Sequence, residues 1–204
     1  MHDLERALTD ISAIREQLAH STEFRGYAPT TLAATGAFAF TVAAAQAHWL
    51  PESASHMSLF VAVWAAAAAI CVIVIAFQTV QHSRRAHGGM ATAMLQSAVE
   101  QFLPAVVGGG LVTIALLKLA PQDLWLLPGL WHIFFAVGVF ASCRFLPRAT
   151  FLVGVWYLAC GLTCLALAAP THGNSPWAMG IPYGVGHLLV AGVMLQRRQL
   201  ERAK

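Results

Sequence analysis

Charge is what this sequence has least of. Only 10% of its 204 residues are Asp, Glu, Lys or Arg, against 58% that are hydrophobic, whereas a soluble domain carries about a quarter charged residues. So few charges cannot cover a globule with water-facing groups, and most of the surface has to meet lipid. The net charge is +3, with no basic stripe interleaved with aromatics, which argues against a nucleic-acid partner. Catalytic signatures are missing too. There is no HExxH, no pair of aspartates and no GxSG nucleophile turn, and Ser142 lies at the end of an apolar run. No nucleophile–base set can be named, and the expectation is a non-enzymatic protein.

Cysteine is sparse as well. Cys71, Cys160 and Cys164 lie inside apolar segments and Cys143 stands beside Arg144, with no CxxC and no Cys/His zinc spacing among them. None falls in a segment assigned below to the outside, where an oxidising compartment supports structural disulfides. All four read as small packing residues.

What the chain does have is length in its apolar runs. About 20 such residues cross the hydrocarbon core as a helix, and six segments qualify: Thr31–Leu50, Ser58–Val80, Phe102–Ala120, Leu124–Ser142, Thr150–Ala169 and Trp177–Leu195. Short connections join them except over 81–101, where Met90, Met94, Leu95, Val99 and Phe102 predict further amphipathic helix leading into the third span. The fold class is therefore all-α, a polytopic membrane protein. Its domains are an N-terminal helix over 1–28, a six-span domain over 29–198 and a tail over 199–204.

The basic residues orient it. With the N-terminus in the cytoplasm, Arg6, Arg15, Arg25, Arg84, Arg85, Arg144, Arg148, Arg197, Arg198, Arg202 and Lys204 all fall inside, and only Lys118 falls outside. That asymmetry is what the positive-inside rule expects, and Trp49, Trp125 and Trp177 at the outer ends fit the aromatic belt. Both termini are predicted to be cytoplasmic. Ala45-Gln-Ala47 has the look of a signal-peptidase site, but the apolar run before it starts behind a mixed-charge segment, so cleavage is not expected.

Residues 1–28 form a separate amphipathic element. Leu4, Leu8, Ile11, Ile14 and Leu18 recur at helical spacing, while Asp3, Glu5, Arg6, Asp10, Arg15 and Glu16 nearly cancel. A helix meant for anionic lipid is rich in Lys and Arg. Residues 2–20 therefore point to protein docking, either on a second copy of the chain or on another protein.

Candidate functional residues cluster in the later spans. The sixth contains Pro182, Gly180, Gly184, Gly186 and His187, none of which lipid favours. Gly180 and Gly184 make a GxxxG, a close-packing motif, and Gly108, Gly109 and Gly110 do similar work in the third span. Pro104 precedes Gly108 by four residues as Pro182 precedes Gly186, the kind of matched interruption found in inverted-repeat transporters. His132 and His187 lie at similar depths, about 12 and 15 Å from the outer ends at 1.5 Å per residue. Ionisable groups so placed default to a functional reading. Three remain open: a neutral histidine bonded to a backbone carbonyl or to a hydroxyl such as that of Tyr183; handling of protons or of a polar ligand; and axial ligation of a b-type haem by His132 and His187. A four-ligand di-haem pattern is absent. Gln46, Gln78, Glu100, Gln101 and Lys118 stand near span ends, where long side chains reach the interface. No acidic residue lies at mid-membrane, which argues against a carboxylate-driven cation pump.

Phe24-Arg-Gly-Tyr27 behind the N-terminal helix, Leu127-Pro-Gly-Leu-Trp131 with Phe140-Ala-Ser-Cys-Arg144, and Ser175-Pro-Trp-Ala-Met-Gly180 together resemble a group of uncharacterised bacterial six-span inner-membrane proteins. The resemblance implies a fold and a location but no activity. The leading expectation is a ligand-binding or ligand-translocating pocket among the third, fourth and sixth spans, lined by His132, His187, Tyr183, Gly108, Gly109, Gly110 and Gly186. The alternative is a regulatory or scaffold subunit that recruits a partner through its N-terminal helix. No cofactor is expected unless haem b is bound.

Overall fold

A computed structural model of the chain describes residues 29–50, 56–85, 89–143, 149–167 and 175–202. The N-terminal segment 1–28, and with it the expected docking helix, lies outside the described residues, as does most of the tail. Among the described residues every regular element is helical: α1 (Pro29–Trp49), α2 (Met57–Arg85), α3 (Gly89–Leu119), a 3-10 turn (Pro121–Leu126), α4 (Leu127–Ser142), α5 (Thr150–Leu167) and α6 (Trp177–Arg202).

Five stretches are long and apolar enough to cross a membrane: Met57–Gln78, Val99–Leu119, Pro121–Ser142, Thr150–Leu167 and Trp177–Gln196. This is the architecture of a multi-pass membrane protein. The helix α1 has the length, 21 residues, but Thr30, Thr31, Thr35, Thr41, Gln46 and His48 dilute its apolar character, and it is not among the five. The expected connection over 81–101 is largely helix: α2 runs on to Arg85 and α3 starts at Gly89. The fourth span opens as a tight 3-10 turn that passes straight into α4, with a proline at the start of each element, where the missing N–H costs nothing.

The helices are held by close approach. The most extensive interface joins α1 to α6, the next α4 to α5, followed by α3 with α4 and α5 with α6. Apolar side chains gain little from one another in lipid, so backbone proximity and interhelical hydrogen bonds carry the association. A methyl group added at Gly180 would lie 2.3 Å from the Ala43 Cβ, and one at Gly184 would meet the Phe40 ring at 2.4 Å. The GxxxG of α6 is thus the seat of α1. Between α4 and α5 the same role falls to Gly129 and Gly161, each packed against the other's carbonyl oxygen.

Side-chain ties join α1 to α2, α3 to α4 and α5 to α6. The Trp64 indole donates to Gln46 Oε1 at 2.8 Å, Trp131 to Thr113 Oγ1 at 2.8 Å, and Trp156 to the Pro182 carbonyl at 3.0 Å. Thr31 donates to Gln78. Such bonds average about 0.6 kcal/mol within a membrane. They also correct the expectation that Gln46 serves the interface, since it is 4% exposed and ties α1 to α2, whereas Gln78 is exposed while accepting from Thr31. By contrast α2 and α3 turn long apolar faces outward, with Ile70, Ile73, Phe77, Leu103, Leu111 and Ile114 all exposed.

Candidate functional site

Where α4, α5 and α6 meet, aromatic and imidazole rings gather on one level. His132 and Phe135 come from α4, Tyr157 from α5, and Tyr183 and His187 from α6. His132 stacks on Tyr183 with ring centroids 4.8 Å apart and 29° between planes, and on Tyr157 at 6.3 Å and 20°. His187 meets Tyr183 and Phe135, each at 6.3 Å. Phe135 also packs on Tyr157 at 4.5 Å and edge-on to Tyr183 at 5.4 Å. Tyr183 is the ring that both histidines touch.

Local sequence explains how the rings arrive there. On α4, positions 132, 135, 136 and 139 recur at helical spacing, so His132 and Phe135 share a face with Ala136 and Val139. On α6, Tyr183 and His187 are one turn apart. Gly186 makes room between them: a Cβ there would fall 2.3 Å from the Tyr157 hydroxyl oxygen, so only glycine admits the phenol to the α6 backbone. Pro182 sits inside α6 and leaves the Ala178 carbonyl without its usual N–H partner. The Cys164 thiol donates to that carbonyl at 3.8 Å, and Trp156 reaches the Pro182 carbonyl. The proline break is thus stitched to α5 on both sides, as non-ideal backbone in a membrane requires.

Hydrogen bonding sets the chemistry. His132 Nδ1 lies 2.5 Å from the Pro128 carbonyl oxygen. A carbonyl only accepts, so Nδ1 carries the proton and donates, leaving the lone pair on Nε2. That Nε2 is buried without a partner, as are the Tyr157 hydroxyl and His187 Nδ1. His132 and Tyr157 are both 0% exposed. Buried polar atoms are paired in the great majority of cases, and exceptions call for a ligand, a water or a functional role. Here three such atoms sit on rings of one cluster.

The electrostatics are those of a neutral site. No Asp, Glu, Lys or Arg from the described residues takes part in the ring cluster. A full charge at mid-membrane costs about 2.5–3.5 kcal/mol or more, and an aromatic face returns about 0.5–2 kcal/mol to a cation. The walls therefore do not compensate for charge. Among the described residues no group of three or more His, Cys, Asp or Glu is placed to hold a metal ion.

Comparison of the chain with protein-family models, with curated proteins and with solved structures gives no match.

Of the residues the sequence singles out, His132, His187, Tyr183 and Gly186 are brought together. The three glycines of α3 are not part of the ring cluster. Gly108 and Gly109 lie against the Phe134 ring, with a Cβ at 3.0 and 3.7 Å, and Gly110 has nothing within 4 Å. Phe134 is two residues from His132, on the far side of α4, so these glycines face away from the cluster; α3 reaches it instead through Phe102, whose ring meets Phe135 edge-on at 5.1 Å. The matched Pro-to-Gly spacing has a common structural use: in α3 as in α6, the glycine four residues past the proline lies against an aromatic ring from a neighbouring helix. Tyr157 and Phe135 are the residues that sequence reading missed. Tyr157 stands mid-span in a segment whose cysteines already suggested packing, and a phenol there was the available signal.

Proposed function

We propose that this chain is a six-span, non-enzymatic protein of the bacterial inner membrane that binds a small ligand, or passes one across, at the ring cluster of α4, α5 and α6. The observation that carries this reading is that three buried, unpartnered polar atoms, His132 Nε2, the Tyr157 hydroxyl and His187 Nδ1, belong to rings of one contact cluster. Burying an unpaired polar group costs about 1–3 kcal/mol. A bound molecule that offers hydrogen bonds relieves that cost at the place where the cost was built in. The close packing of Tyr183 on both histidines favours a compact ligand over a haem macrocycle held between them.

Support for the sixth span comes from α1, whose 21 residues are seated along α6 by Gly36, Ala39 and Ala43. Cytoplasmic termini follow from the gathering of all basic residues but Lys118 on one side. In this reading residues 2–20 are an attachment for a second copy or a partner.

Native mass spectrometry of protein released from its own membranes tests the proposal. Wild-type protein is expected to retain a non-lipid species that the His132→Gln, His187→Gln double variant lacks. Identical bound species in both would count against the site. A visible spectrum of the same sample reads haem directly, and a Soret band lost in the double variant would replace the small-ligand reading by the haem one.

A further inference from the structure

Resting on that site, we infer that its ligand is an uncharged hydrogen-bond donor, an alcohol, phenol or neutral amine, received by the lone pair of His132 Nε2 between aromatic walls. The polarity is fixed at His132. Its Nδ1 proton is committed to the Pro128 carbonyl 2.5 Å away, so Nε2 is left as an acceptor, and it is buried with nothing donating to it. The Tyr157 hydroxyl, equally unpartnered, both donates and accepts. It lies against the α6 backbone in the space left by Gly186. A ligand that gives a proton to His132 and takes one from Tyr157 satisfies both with a single hydroxyl or amine.

Charge is what the site turns away. No ionised side chain of the described residues faces the rings, so a cation finds no counter-ion. An anion would meet the negative faces of Tyr157, Tyr183 and Phe135. The same walls receive an apolar or aromatic body, which separates this site from a bare water cavity. Selection thus rests on one acceptor, one amphoteric hydroxyl and a ring-lined surround.

The experiment uses the full chain in lipid nanodiscs with ¹⁵N-labelled histidine and follows the ring nitrogens by NMR. Four probes of similar size are compared: phenol, anisole, phenyltrimethylammonium and benzoate. Phenol is expected to move the His132 Nε2 resonance upfield in a saturable manner, and the other three to leave it in place. In Tyr157→Phe, which keeps the ring and removes the hydroxyl, saturation is expected to need several-fold more phenol. His132→Gln identifies the resonance. A saturable shift by the ammonium or by benzoate as large as that by phenol overturns the ligand class while leaving the site standing. An equal response to anisole overturns the donor requirement. No response to any probe, or a response at Nδ1 in place of Nε2, overturns the inference, and the mass-spectrometric comparison judges the site independently.

Discussion

Gly186 is the residue on which the cluster depends most directly, because the Tyr157 hydroxyl occupies the volume a side chain would need. Gly186→Ala forces the phenol or the helix to move. Overpacking of this kind costs about 1–3 kcal/mol, expected as a lowered thermal midpoint in mild detergent. Gly110→Ala, with open space around it, is expected to leave the midpoint unchanged. Equal loss in both variants would mean that the contact is not there. At Gln46 the argument concerns a donor. Gln46→Leu leaves the Trp64 N–H buried without an acceptor, a loss of about 1–3 kcal/mol. Adding Trp64→Phe removes the stranded group, so the double variant should be more stable than the sum of the single losses predicts, read as a coupling energy from unfolding midpoints. His132 and His187 were legible in the sequence because a titratable ring in an apolar run stands out whatever its neighbours. Tyr157 was not, because a tyrosine in such a run looks like any packing aromatic until its hydroxyl is seen to lack a partner. Gln46 was misread for a related reason: distance from a span end gives depth, not which face of the helix the side chain occupies.

Helix α6 shows what an element can carry when it breaks the rules of lipid. Its GxxxG seats α1, its glycine at 186 admits Tyr157, and its proline frees a carbonyl that Cys164 takes up. That last pairing predicts a conditional effect. Cys164→Ala should cost about 0.5–1.5 kcal/mol, the usual net value of one hydrogen bond, when Pro182 is present. It should cost less in Pro182→Ala, where residue 182 again has an N–H for Ala178. Equal costs in the two backgrounds, from unfolding midpoints of the four proteins, would remove the thiol from this role. The helices themselves were plain in the sequence, since long apolar runs leave the backbone no alternative to satisfying its own hydrogen bonds. Their limits were less so. The amphipathic residues from Met90 onward announced the early start of α3, but the polar residues after Val80 concealed the continuation of α2 to Arg85, because helix persists beyond the lipid wherever nothing breaks it. The glycines of α3 looked like pocket residues, but spacing along one helix does not reveal which neighbour it faces, and the neighbour proved to be Phe134.

At the scale of the whole molecule the chain divides its labour. Interfaces among α4, α5 and α6 hold the ring cluster, while α2 and α3 present Ile73, Phe77, Leu103, Leu111 and Ile114 to the surroundings, a surface suited to acyl chains. The proposed orientation, with both termini inside, rests on the placement of the basic residues. A fluorescent protein fused after Lys204 should be bright, and alkaline phosphatase inserted at 172 should be active; the reverse pattern would invert the topology, though not the packing. Within that frame the central proposal is that His132 Nε2, the Tyr157 hydroxyl and His187 Nδ1 are met by a bound molecule that hydrogen-bonds. An experimental structure of the protein in lipid, at a resolution that resolves ordered water, tests it most directly. The expected result is density within hydrogen-bond reach, about 2.6–3.2 Å, of both His132 Nε2 and the Tyr157 hydroxyl. A dry cluster in which those atoms and His187 Nδ1 have each turned to a protein partner would contradict it.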